Sequence, residues 1–189
     1  MNSGDTDGLQ RQDGFTLIEL LLVVTMIGIV AAIAVPLLTR ARAASTEAST
    51  IGSLRTLNSS QVSYSTACGG GYFAPSVTWL AKSAGTGKAA KGKATFVGPE
   101  FTADTTTRLN YTIRFTAGTV EPKSPAGCNG VGAGKSVRNY FIGADPVATS
   151  ASTGTRHFGT SSDNTIFEST KRISAFYTGV PPNPAKPIQ

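Results

Sequence analysis

The sequence predicts an α+β chain: one long N-terminal helix whose hydrophobic half protrudes and whose second half packs on a small antiparallel β-sheet. Three observations carry that prediction. Leu20 to Leu38 is an uncharged, predominantly apolar run of 19 residues, long enough to cross ~30 Å of hydrocarbon as a helix. Beyond it, Ala44, Ala48, Ile51, Leu54 and Leu57 recur at spacings of three and four, the stripe of a helix lying on a core. After Asp104, strand signals begin, and Leu109–Thr116 alternates large apolar with polar side chains at period two, as a half-buried antiparallel strand does.

Taken in order, residues 15–65 read as a single helix of ~75 Å at ~1.5 Å per residue, with Arg42, Glu47, Arg55 and Asn58 mainly off the core stripe. Gly28 and Pro36 weaken it. Pro36 removes the hydrogen bond its N–H would give to Ala32 and crowds that carbonyl, a defect membrane helices tolerate because their surroundings re-satisfy the freed groups. Gly69-Gly70-Gly71 ends the helix. The connection over 66–104 is rich in Gly, Ala, Ser, Thr and Lys, with Tyr72, Phe73, Val77, Trp79 and Leu80 as its anchor. Lys82, Lys88, Lys91 and Lys93 make its tip basic, a solvated loop by preference.

Strands are expected at Leu109–Thr116, at Val137–Ile142, and on either side of the Ser161–Asn164 turn, from Arg156 to Phe158 and from Thr165 to Glu168. Pro122 to Gly134 is a glycine-rich loop, and Pro181, Pro182, Pro184 and Pro187 exclude a central strand from the tail. The resulting division is a leader (1–14), a hydrophobic helix half (15–39) and a head (40–189). The head comprises the amphipathic helix half (40–65), the connection (66–104), the sheet (105–170) and the tail (171–189).

Composition bounds the function. The formal charge of +6 rises to +8 once the leader, with one base and three acids, is removed, which favours anionic surfaces or polymers. The remaining 175 residues suffice for one membrane helix and one domain. Cys68 and Cys128, 60 residues apart, fit one bridge in an oxidising compartment or two unrelated buried thiols. No third cysteine and a single histidine, His157, leave no zinc set of the usual type, and no metal or cofactor is expected.

Gly87 to Ala94 has the spacing of a phosphate-binding loop, but Ala94 stands where Ser or Thr would hold magnesium. Gly130 to Ser136 is one residue too short, and nucleotide binding is rejected for both. His157 has no hydrolase motif around it and reads as a side chain on an edge or surface strand, so no catalytic role is assigned. Tyr72, Phe73 and Trp79 beside the lysine run make DNA the best binding-module alternative.

The most informative feature is Glu19, an acid at the mouth of a membrane-length segment, where a mid-bilayer charge costs about 2.5–3.5 kcal/mol. Either it lies among the headgroups, or the chain is cut between Gly14 and Phe15. In the second case the new Phe15 ammonium pairs with the Glu19 carboxylate of a neighbouring copy in a low-dielectric bundle.

Gly14 followed by Phe15-Thr-Leu-Ile-Glu19 resembles the class III signal of type IV pilins and type II secretion pseudopilins. The resemblance covers the leader and the first helix half. It implies that a prepilin peptidase cuts after Gly14 and methylates Phe15, that Glu19 is the assembly residue, and that Gly28 and Pro36 stand where the family weakens its helix. It implies a structural subunit of a type IV pilus, not an enzyme, with a type II secretion pseudopilin or a DNA-binding minor pilin as alternatives. Its partners would be other pilin subunits, the peptidase and an inner-membrane assembly platform. The chain would sit single-pass in the inner membrane with its head outside, then in a cell-surface filament. Two features pull the other way: Ala32-Ile33-Ala34 mimics an ordinary signal-peptidase site, and Arg40, Arg42 and Arg55 follow a span preceded by Arg11 alone, against the positive-inside rule.

Overall fold

The computed structural model describes residues 14–85, 95–148, 153–177, 179–181 and 185–188. It contains helix α1 (Leu17–Ala67), a short helix α2 (Val77–Leu80), and strands β1 (Thr105–Arg108), β2 (Tyr111–Ala117), β3 (Tyr140–Pro146), β4 (His157–Ser161), β5 (Ile166–Ser169) and β6 (Lys186–Pro187). The layout is α+β and pilin-like, a long N-terminal helix packed with a six-stranded antiparallel sheet in the order β1-β2-β3-β4-β5-β6. The chain divides into two compact units, Met1–Thr39 and Arg40–Gln189.

In the first unit every described residue from Gly14 to Leu38 is exposed, including Leu17, Ile18, Leu22, Ile29 and Leu37. So large an exposed apolar surface marks an interaction site, and the helix is long and apolar enough to cross a membrane. Helix α1 runs unbroken through Gly28 and Pro36.

In the second unit the inner sheet face and α1 enclose the main core. Tyr111, Ile113 and Phe115 on β2 alternate inward with Tyr140, Ile142 and Ala144 on β3 and Phe158 on β4, all buried against Leu54, Leu57 and Tyr64. A second cluster occupies the outer face, where Ile173 and Phe176 cover Phe141 and Phe167. The Phe141 ring lies on Gly143 and Gly159, where a Cβ on either would come within 3.0 Å of it.

The helical stripe differs from the expected one. Ala44 and Ala48 are exposed, whereas Glu47 and Asn58, expected off the core face, are buried together with Thr50 and Gln61. The reason is hydrogen bonding: a buried polar group is tolerated when it is satisfied. Asn58 donates to Thr160 Oγ1 (2.8 Å) and accepts from the Tyr140 hydroxyl (3.1 Å). Gln61 exchanges bonds with the Ala74 backbone. Polar contacts therefore fix α1 on the sheet where an apolar stripe would only lubricate it.

Strand boundaries also shift: β3 runs on to Pro146, and β4 extends through Ser161, which was expected in the turn. Leu109, expected in a strand, is a turn residue. Leu109 and Asn110 both have positive φ (46° and 64°) and close a two-residue hairpin between Arg108 and Tyr111, the primed turn whose twist suits antiparallel strands. Val137, expected inside a strand, makes only isolated bridges to Phe73 and Val120. The connection carries α2, whose Val77 and Leu80 are buried. Pro187 lies on the edge strand, where its missing N–H breaks no ladder.

Helix α1 ends as its glycines require. The Cys68 and Gly69 amides both donate to the Tyr64 carbonyl (2.8 and 2.7 Å), and Gly70 and Gly71 turn the chain through positive φ. Cys68, in that turn, is bridged to Cys128 of the β2–β3 loop with 5.0 Å between Cα atoms. The bridge joins the helix end to the loop Pro122–Gly134.

Candidate functional site

Gly14, Phe15 and Thr16 lie ahead of the first helical residue, outside regular structure. The junction is accessible: Phe15 is 80% exposed, and among the described residues no atom crowds the Cβ direction of Gly14. Thr16 then starts the helix. Its Oγ1 accepts the Glu19 amide (3.2 Å), satisfying one of the orphan donors of the first turn. Thr16-Leu-Ile-Glu19 is thus the Ser/Thr-x-x-Glu pattern of a helix start. Sequence reasoning used these residues as a signal and overlooked Thr16 as a cap, although the spacing was visible.

Glu19 sits in the first turn, where a carboxylate is favoured by the helix dipole. Among the described residues it has no ion-pair partner within its own chain. Along the same helix, Thr25 and Thr39 turn their hydroxyls back to the Leu22 and Pro36 carbonyls (2.8 and 2.9 Å), which lets polar side chains ride in an apolar setting.

The candidate residues of the head are engaged structurally. His157, expected on an edge or surface strand, lies on β4 between β3 and β5. Its Nδ1 is 2.6 Å from Asp145 Oδ1, and Asp145 is also held by Arg114 and Arg172. The four side chains form one hydrogen-bonded polar cluster on the outer sheet face, with the Asp145 carboxylate at its centre. Glu168 holds Arg156 (2.5 Å) and is thereby committed. Among the described residues no group of three or more metal-ligating side chains is assembled.

Of the residues suggested for base stacking, Tyr72, Phe73 and Trp79 are each partly buried. Phe73 meets Tyr140 edge to face at 4.9 Å, and Lys82 lies 3.5 Å over the Trp79 ring. Lys88, Lys91 and Lys93 lie outside the described residues, as does the loop-like stretch Gly87–Ala94. The second loop-like stretch ends on Ser136, which is buried and donates its amide to Ser124 Oγ (3.2 Å).

Electrostatics of the head follow from burial and pairing. The Arg156 guanidinium is held above its ordinary value mainly by hydrogen bonds from Nε and Nη2 to Glu47. Glu121 is held below the usual carboxylate range by the Lys123 amide and then by Arg138. Burial pushes the Tyr111 and Tyr140 hydroxyls well above theirs.

Residues 9–35 match the family model described as the prokaryotic N-terminal methylation motif, the class III signal of type IV pilins. No curated protein and no solved structure matches the chain. The methylation motif, together with the apolar helix, supports a type IV pilin- or pseudopilin-like precursor. Such precursors are processed by prepilin peptidase and assemble with other pilin subunits.

Proposed function

We propose that the protein is a structural subunit of a type IV pilus. Prepilin peptidase cuts between Gly14 and Phe15 and methylates the Phe15 amine. The 15–39 half of the helix anchors the subunit in the inner membrane with its head outside, then packs with its copies in the filament core, while the head forms the outer wall. The role is mechanical rather than catalytic. One observation carries the reading: a methylation motif opens directly into an exposed apolar helix half that carries Glu19, a carboxylate with no ion-pair partner among the described residues.

The physics of assembly follows. Once a subunit leaves lipid, bundling keeps the apolar side chains from Leu17 to Leu38 out of water without demanding any directional bond. Apolar packing alone leaves axial register loose. A Phe15 ammonium against Glu19 of the next copy fixes it, because an unpaired charge in the bundle costs far more than a paired one. Gly28 and Pro36 supply a segment that can loosen as copies pack. Glu19→Ala tests the mechanism: surface filaments should be lost while the variant protein persists in the membrane, and undiminished filament yield would refute it.

A further inference from the structure

Arginines in this chain fall into two groups. The five described arginines of the sheet and its loops each hold a carboxylate: Arg108 faces Glu100, Arg114 and Arg172 share Asp145, Arg138 takes Glu121, and Arg156 takes Glu47 and Glu168. Among the described residues the other three, Arg40, Arg42 and Arg55, are exposed on α1 and have no carboxylate within 4.0 Å. Two of these three stand immediately after Leu38, the last residue of the apolar run.

Their placement is specific. From Leu17 to Leu38 the helix rises about 32 Å at ~1.5 Å per residue, which matches the ~30 Å hydrocarbon thickness. Arg40 then begins about 3 Å beyond the hydrocarbon, in the headgroup layer. Residues two apart on a helix point ~200° from each other, so Arg40 and Arg42 flank both sides of the rod. Their aliphatic stems can lie along lipid chains while the guanidinium reaches the polar layer. A guanidinium fork matches two phosphate oxygens. Arg55 stands ~22 Å farther along and reaches no such layer. These same two arginines stand at the end of the span that the proposed orientation places outside, against the positive-inside trend.

We propose that Arg40 and Arg42 form a collar that binds the phosphodiester groups of phospholipids at the outer end of the span. The collar sets the depth of the helix before assembly, and its lipid contacts must be released when a subunit enters a filament. This rests on the membrane-inserted precursor proposed above.

The test uses the full chain with labelled arginines in bilayers of phosphatidylglycerol and phosphatidylethanolamine, reading dipolar contact between arginine Cζ and lipid phosphorus by solid-state NMR. Subtracting the spectra of R40Q, R42Q and R55Q assigns each signal. Dephasing that is lost with R40Q and with R42Q, and unchanged by R55Q, is expected. Amide exchange at Gly28, read on the same sample, separates the two ideas. A protected Gly28 with no phosphorus contact overturns the collar alone, whereas a freely exchanging Gly28 overturns the inserted span and the collar with it. Contact of either arginine with a labelled carboxylate of a second copy, in place of phosphorus, would assign the pair to the filament and also overturn the lipid site.

Discussion

Replacing Glu47 with alanine probes the joint between α1 and the sheet. Glu47 is 7% exposed and accepts from Arg156 Nε (2.8 Å), Arg156 Nη2 (2.6 Å) and the Thr155 amide (3.2 Å). Gly154, at φ +98°, brings that loop close enough that a Cβ there would meet Glu47 Oε1 at 2.8 Å. Breaking a fully buried pair costs about 3–5 kcal/mol. Here the Arg156 side chain is 43% exposed and keeps Glu168, so its charge is not stranded, and about 2–3 kcal/mol is the better figure. Trp79 is the sole tryptophan and lies in the head, so its fluorescence during urea unfolding of the detergent-solubilised chain reports the head separately from the membrane helix. With a slope of about 1.5–2 kcal/mol per molar urea, the midpoint should fall by roughly 1–2 M. A double-mutant cycle with Arg156→Ala should show coupling of about 1 kcal/mol or more. An unmoved midpoint, or purely additive variants, would refute the claim that this ion pair seats the helix.

The remaining predictions concern the head. Reducing Cys68–Cys128 opens a loop with 60 residues of separation and should cost about 4 kcal/mol on the chain-entropy estimate, measured as the urea midpoint with and without reductant; equal midpoints would contradict it. Alkali should destabilise the protein through Tyr111 and Tyr140. Their hydroxyls ordinarily titrate near 10.0 but are raised by burial, so the unfolded chain loses these protons first. Their contribution is fully present below pH ~10 and lost as pH rises above it, at about 1.4 kcal/mol per pH unit for each tyrosine. Tyr140→Phe should reduce that slope by about one proton, and an unchanged slope would show that Tyr140 is not the group titrating.

Legibility in the sequence varied with the range of the forces involved. The apolar half of α1 was plain because hydrophobicity over consecutive residues needs no partner to interpret. Its glycine stop was equally local. The inward face of the second half was not: Glu47 and Asn58 turn inward only because Arg156 and Thr160, more than a hundred residues later, satisfy them. Nothing within a helical window announces that. Strand β2 showed through its alternation, and β4 in part through the turn that follows it. β1, Thr-Thr-Thr-Arg on the sheet edge, carries no large apolar residue to alternate. Leu109 misled for the opposite reason, an apolar residue spent on a turn. His157 looked peripheral because its strand is short and polar at the start, yet β5 and β6 extend the sheet beyond it. At the N-terminus the signal residues were legible as chemistry, while the cap formed by Thr16 needed only the spacing to Glu19.

The central claim is that a carboxylate at the mouth of an apolar helix is matched to an amine created by cleavage. Intact-mass and N-terminal fragment analysis of the protein recovered from filaments sheared off its host tests this most directly. The account predicts a chain that begins at Phe15 with one methyl on its amine. Recovery only of chains that begin at Met1, or at Val35 after ordinary signal-peptidase cleavage, would contradict it.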